Sequence, residues 1–209
     1  MSWSNMRIHE FQAALASSTP TPGGGTASAL ALAQAAALSV MVSELTLGND
    51  KWAKGWAVAR DVQSLSAPMI NRANDLANDD SDAFDRVMDG FGLPKETQDE
   101  KDVRRSAIRA ATLMAAAVPF ETAELGLELL DLLPELARNG NANAASDVGV
   151  AGLLASAAAK GAVFNVEINL DSLPSDMGQD FRDRLPELKE RIRTRSRNVM
   201  DAVRERMDG

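Results

Sequence analysis

Cysteine is absent from the 209 residues, and there is a single histidine, His9. Disulfides, thiolate metal centres and a cysteine nucleophile are therefore excluded, and one imidazole cannot build a multi-histidine metal site. Tyrosine is also missing, and aromatics make up 4% of a chain that is 45% hydrophobic. The interior must then be built mainly from Ala, Leu, Val and Met, which suits closely packed helices. Basic residues are the minority charge: 22 Lys and Arg against 30 Asp and Glu give a net charge of −8. Nucleic acid selects for a basic face, so it is not an expected partner. No basic stretch followed by an apolar core and a small-residue cleavage site opens the chain, and a cytoplasmic location is the expectation. Acid–base chemistry falls to carboxylates, lysine or bound water.

The uncharged stretch from Thr26 to Ser43 is long enough to raise the question of a membrane span. It is dominated by alanine and interrupted by Ser28, Gln34 and Ser39, so its gain in lipid is small and it reads as a buried central helix. Around it the chain reads as all-α, a single-domain helical bundle. A short helix over residues 5–17 carries Ile8, Phe11 and Leu15, and the central helix follows over 24–47, stopped by Gly48-Asn49. The next helical pattern covers 50–89, with Pro68 as a kink or break. Thr97 and Glu100 form a capping box for a helix to about Val118, and Pro119 either kinks it or starts the next, which ends before Asn139-Gly140. Residues 143–160 make a further alanine-rich helix, with Gly161 near its end. The alternating stretch 164–169 reads as helix or extended connection, and an amphipathic helix from about Phe181 closes the chain.

Thr19-Pro-Thr-Pro-Gly-Gly-Gly-Thr26 leads into the central helix. Prolines hold the approach extended and glycines free the backbone to touch something, so the segment reads either as a tight corner or as a cradle of bare amides. Three carboxylates stand out on apolar surroundings, where an unpaired charge costs several kcal/mol, on the order of the desolvation penalty. Asp147 is the one charged side chain between Arg138 and Lys160; it either caps its helix or looks into a pocket. Asp80 lies four residues before Phe84 and seven before Val87, on the apolar side of its helix. Glu124, between Phe120 and Leu127, is either an inward acid or part of a wet stripe with Glu128 and Asp131. Acids beside a glycine-lined pocket suit a cationic substrate, one of them activating water. No defined metal-loop spacing is present, and no metal is expected. Lys95, after the Leu93-Pro94 turn, is a candidate for an anionic tail. Asn141 and Asn143 offer amide groups to a flat heterocycle.

In this order the motifs resemble the cyclodeaminase/cyclohydrolase family of folate enzymes. The match runs from Phe11–Leu15 through Ser17 to Gly25, Asp80–Phe84, Leu93-Pro94-Lys95, Val118-Pro119, Glu124, Gly140-Asn141 to Ser146-Asp147, and Asn165-Val166 to Ile168-Asn169. The resemblance implies an all-helical homodimer that takes a tetrahydrofolate one-carbon derivative as substrate and needs no further cofactor. It also implies that Pro22, Gly23, Gly24 and Gly25 contribute to the folate site, with Asp147, Asp80 and Glu124 as pocket acids. The length leaves no room for a formiminotransferase domain, which favours a methenyltetrahydrofolate cyclohydrolase over a formiminotetrahydrofolate cyclodeaminase. A non-catalytic helical folate binder or assembly partner is the reading from a different class. In water attack on the bridging carbon of the methenyl cation, a nearby carboxylate can stabilise the charge and accept the water's proton without histidine, thiol or metal; Asp147 is the leading acid in this reading, with Asp80 or Glu124 assisting.

Overall fold

The computed structural model describes residues 2–208. Six α-helices carry the fold: α1 (Ile8–Leu15), α2 (Gly24–Leu47), α3 (Trp56–Gly92), α4 (Gln98–Asn139), α5 (Ala145–Asp171) and α6 (Gln179–Asp208). Short 3-10 turns lie at Trp3–Asn5, Asp50–Gly55 and Ala142–Ala144, and no strand occurs among the described residues. The architecture is all-α.

Helices α2, α3, α4 and α5 form a four-sided bundle in which each packs on its two neighbours, and α6 lies along the α4–α5 edge. The pattern that puts α3 there is plain: Val58, Val62, Ser66, Met69, Ala73 and Leu76 recur three to four residues apart and are buried. Small residues set the closeness of the bundle. A Cβ on Gly126 of α4 would lie 2.9 Å from the Cβ of Ala159 on α5, and one on Gly152 of α5 would lie 2.5 Å from Val199 on α6. Leu129, Leu130, Leu133 and Leu136 fill the space between.

Several boundaries differ from those the sequence suggests. Helix α4 runs unbroken through Pro119 and Pro134, both buried, and α3 runs through Pro68. Each proline removes one backbone bond, and the side-chain packing on either side of Pro119 and Pro134 holds the helix together. Helix α5 likewise passes Gly161 and takes in the alternating stretch 164–169, ending at Asp171. The capping box of Thr97 and Glu100 is present at the start of α4.

Helices α2 and α5 are each long and apolar enough to cross a membrane, with mean hydropathy 1.6 and 1.4 over their best windows. About half of each window is buried inside the bundle. The central helix is not enclosed on every side: Gln34, Ala37, Met41 and Leu45 face outward in one stripe, matched on α5 by Val150, Leu153, Phe164 and Ile168.

Candidate functional site

Four helix ends or flanks converge on a cavity of about 420 Å³. The start of α2 supplies Gly23, Gly24 and Gly25; α3 supplies Asp80, with Phe84 and Phe91 further along the same wall; α4 supplies Arg109 and Thr112; the C-terminal half of α5 supplies Asn165 and Asn169. A larger groove between α5 and α6, about 610 Å³, is rimmed by Glu167, Lys189, Glu190 and Arg193. Those charges already pair with one another, Lys189 with Glu167 and Arg193 with Glu190, and the glycine-lined cavity is the better candidate.

Its chemistry centres on Asp80. The residue N-terminal to α2 is Gly23, which has no side chain with which to cap the helix, so the first-turn amides lack an internal partner. Asp80 answers part of that need from across the bundle: Thr26 donates to it through its hydroxyl, Oγ1 to Oδ2 at 3.0 Å, and through a backbone hydrogen bond. The positive end of the α2 dipole adds to the attraction. Burial nevertheless dominates and pushes the Asp80 carboxyl above the usual carboxylate range, with the bonds from Thr26 pulling the other way.

The carboxylate is held by a directional chain. Trp3 Nε1 donates to Ser81 Oγ at 2.8 Å, and Ser81 Oγ meets Thr26 Oγ1 at 3.1 Å. An indole N–H only donates, so Ser81 accepts from Trp3; the one hydroxyl proton of Thr26 is donated to Asp80, so Ser81 donates its own to Thr26. On the opposite wall the amide nitrogen of Asn169 donates to the carbonyl of Ala115 at 2.9 Å and that of Asn165 to the carbonyl of Gly161 at 2.9 Å. Both leave an amide oxygen as an acceptor beside the cavity. The site thus offers one carboxylate, free helix-start amides, amide oxygens and a guanidinium between aromatic walls. A flat, polar, cationic molecule with an anionic end suits it. Among the described residues no group of three His, Asp or Glu side chains stands where it would hold a metal ion.

The structure brings Gly23, Gly24, Gly25 and Asp80 together, and it separates the other residues named from the sequence. Pro22 is buried just before the glycines. Asp147 is half-buried in the first turn of α5, some 27 Å along the helix from Asn165 at 1.5 Å per residue; an acid there complements the helix start. Glu124 is half-exposed and paired with Arg184 in a separate groove against α6. Lys95 is exposed on the α3–α4 connection and is not among the cavity residues. Asn141 spends its side chain locally, accepting from the Asn143 amide at 3.0 Å and donating to the Leu45 carbonyl at 3.2 Å, and Asn143 is exposed. These two hold the α4–α5 corner, at the far end of α5 from the cavity. Thr26, Arg109 and Thr112 join the site although no local sequence motif marks them. Thr26 follows the third glycine directly, a position from which a helix-start residue faces whatever the glycines face.

Known proteins resemble this chain in sequence and in fold. The family model described as formiminotransferase-cyclodeaminase matches residues 7–187. A methenyltetrahydrofolate cyclohydrolase of Methylorubrum extorquens is 40% identical over 185 residues, covering 88% of each protein. The formimidoyltransferase-cyclodeaminase of Sus scrofa is 31% identical over 170 residues, which are 81% of this chain and 31% of that longer protein. Among solved structures, a formiminotetrahydrofolate cyclodeaminase of Thermotoga maritima superimposes with a TM-score of 0.80 at 28% identity, covering 99% of this chain and 98% of that one.

Proposed function

The chain belongs to the formiminotransferase-cyclodeaminase family, and from that premise we propose that its glycine-lined cavity hydrolyses 5,10-methenyltetrahydrofolate to 10-formyltetrahydrofolate. The observation that carries the reading is Asp80, a carboxylate with a raised pKa set against the bare start of α2. The 40% identical relative that is named for this activity supports it.

The substrate's bridging carbon lies between two nitrogens and shares a positive charge with them. An ionised Asp80 stabilises that charge and takes a proton as water attacks the carbon. The oxygen–carbon bond forms, one carbon–nitrogen bond of the five-membered ring breaks, the departing nitrogen receives the proton taken by Asp80, and the second water proton is released to solvent as the carbon–hydroxyl becomes the formyl carbonyl. The α2 amides and the oxygens of Asn165 and Asn169 bind the polar edges of the ring system, while Phe84 and Phe91 supply flat apolar surface. Asp80 takes the role of leading acid in this reading; Asp147 and Glu124 lie outside the cavity of their own chain.

The test is loss of methenyltetrahydrofolate absorbance with purified protein, above the uncatalysed rate. No acceleration would overturn the reading. The Thermotoga maritima neighbour favours a second possibility, in which the same cavity releases ammonia from formiminotetrahydrofolate. Ammonia release from that substrate, with no acceleration of the methenyl substrate, would select it.

The same reading includes a homodimer acting in the cytoplasm. The outward stripe of α2 and α5 supports the dimer, with Leu153, Phe164 and Ile168 each more than half exposed. A globular monomer of 22.3 kDa exposes about 9,400 Å², and this chain exposes 10932 Å². The surplus exceeds the roughly 800 Å² that each partner contributes to a standard interface. Sedimentation at equilibrium measures the assembly directly.

A further inference from the structure

Trp3 reaches the site from outside the stretch that the family model matches, which begins at residue 7. Its 3-10 turn is pinned to α3 at two points one helical turn apart. The Trp3 backbone amide donates to Asn78 Oδ1 at 2.8 Å, and the indole Nε1 donates to Ser81 Oγ at 2.8 Å. Asn78 donates in turn to the Asn74 carbonyl at 3.1 Å and to the Ser2 hydroxyl at 3.4 Å, so the anchor is itself fixed. The bond to Asn78 holds the segment down. The bond to Ser81 enters the site, because Ser81 is buried and its oxygen meets Thr26.

The two hydroxyls behave unlike the others in the bundle. The remaining buried threonines, Thr46, Thr112 and Thr122, each donate to the carbonyl four residues back. Ser28, Ser39, Ser43 and Ser196 do the same. That local bond is the ready alternative for a hydroxyl in a helix. Thr26 and Ser81 turn across the bundle instead, Thr26 to Asp80 Oδ2 at 3.0 Å and Ser81 to Thr26 at 3.1 Å. For Thr26 the position explains it: it is the third residue of α2, and the carbonyl four back belongs to Pro22, ahead of the helix. Ser81 lies in the middle of α3 with the Ala77 carbonyl four residues behind it, so its turn away needs a cause. The indole supplies one. A hydroxyl that accepts a hydrogen bond becomes a stronger donor, and the Trp3 N–H therefore favours Ser81 donating onward to Thr26. Without that N–H, Ser81 gains by rotating towards Ala77, and its oxygen is then free to draw the Thr26 proton away from Asp80.

We propose that Trp3 is a positioning residue for Asp80: its indole N–H sets the direction of the Ser81 and Thr26 hydroxyls, and these hold the carboxylate in the orientation that activates water. Trp3 is not part of the cavity lining and acts only through the two hydroxyls. Asp80 and Arg109 are the charged side chains of that lining, and residues 2–6 carry no charged side chain. The influence of the segment on the carboxylate is thus one of hydrogen bonding, with no charge of its own. The placement of the turn before α1 is thereby coupled to the readiness of the acid.

That the positioned carboxylate serves hydrolysis rests on the folate reading; the hydrogen-bonded chain does not, and the experiment separates them. Trp3→Phe keeps an aromatic ring and removes the N–H, while Ser81→Ala removes the relay. For methenyltetrahydrofolate, kcat and KM are measured with the full-length parent, both single variants and the double variant. Each single variant is expected to lower kcat about fivefold, the scale of one hydrogen bond, with KM within about twofold of the parent. The double variant is expected to lose no more than either single one, because both changes break the same chain. A Trp3→Phe protein with parental kcat, a loss that falls on KM instead, or a double variant whose losses multiply to about 25-fold overturns the positioning role. If the parent does not accelerate hydrolysis, the folate reading fails, and the chain is decided by a carbon-13 carboxyl titration of Asp80, assigned with Asp80→Asn. In Trp3→Phe the Asp80 pKa is expected to rise, since a weaker bond from Thr26 stabilises the ionised form less. An unmoved titration overturns the positioning role.

Discussion

Gly25 lies directly against Asp80: a Cβ on Gly25 would sit 2.6 Å from the carboxyl carbon. No side chain fits between the first turn of α2 and the carboxylate. The third glycine is therefore fixed by close approach, since its helical backbone is open to any residue.

Gly25→Ala is expected to push the Asp80 carboxylate off its bond with Thr26 and to lower kcat by about 10- to 100-fold. Alanine raises helix propensity by about 1 kcal/mol over glycine, which offsets part of the steric cost. The melting temperature is therefore expected to move much less than the rate, and thermal melts beside turnover assays check the split.

Asp80→Asn is expected to reduce turnover by at least about 100-fold, the range of a lost general base. Its effect on stability runs the other way. Burial raises the pKa of Asp80 in the folded protein, so keeping it ionised costs stability at neutral pH, and the cost disappears as pH falls towards the ordinary aspartate range. The variant is expected to melt above the parent at pH 7, with a difference that narrows on acidification. Paired melts across that range measure it.

The same shift shapes the rate profile. Activity that requires ionised Asp80 should rise along an acidic limb lying above the usual carboxylate range. Thr26→Val removes the hydroxyl bond that lowers the Asp80 pKa, so the limb is expected to move to higher pH. It also leaves Ser81 without its acceptor, at a cost of about 1 kcal/mol. A pH–rate profile of both proteins tests the direction.

Gly126→Val is expected to destabilise the bundle by about 1–3 kcal/mol, the usual cost of overpacking, because even one added carbon meets Ala159 at 2.9 Å. The urea midpoint should fall, with the slope of the transition unchanged.

The helices that could be read from the sequence were those with strong local signals. Thr97 and Glu100 mark the start of α4 because a capping box is complete within four residues. Pro68 and Pro119 suggested kinks or breaks that tertiary packing overrides, and Gly161 suggested an end where α5 instead lies close to Ser28 of α2. Asp80 was legible as a candidate because its periodicity places it on the apolar side of α3. Asp147 shares that apolar neighbourhood but sits at the opposite end of α5, and nothing in a linear pattern reports which end of a helix meets a glycine turn. Asn165 and Asn169 belong to the family pattern but were not legible as site residues, because the alternation of their stretch imitates a strand, and Arg109 was one arginine among several on an exposed face.

The hydrogen-bonded chain from Trp3 to Asp80 gives each hydroxyl proton one direction, set at one end by an indole that cannot accept. A change of charge at the carboxylate alters the polarisation of every link back to that ring. Trp3 is thereby an optical probe wired to the site, so intrinsic fluorescence read against a Trp3→Phe control becomes a way to follow ligand arrival and proton uptake without any added label.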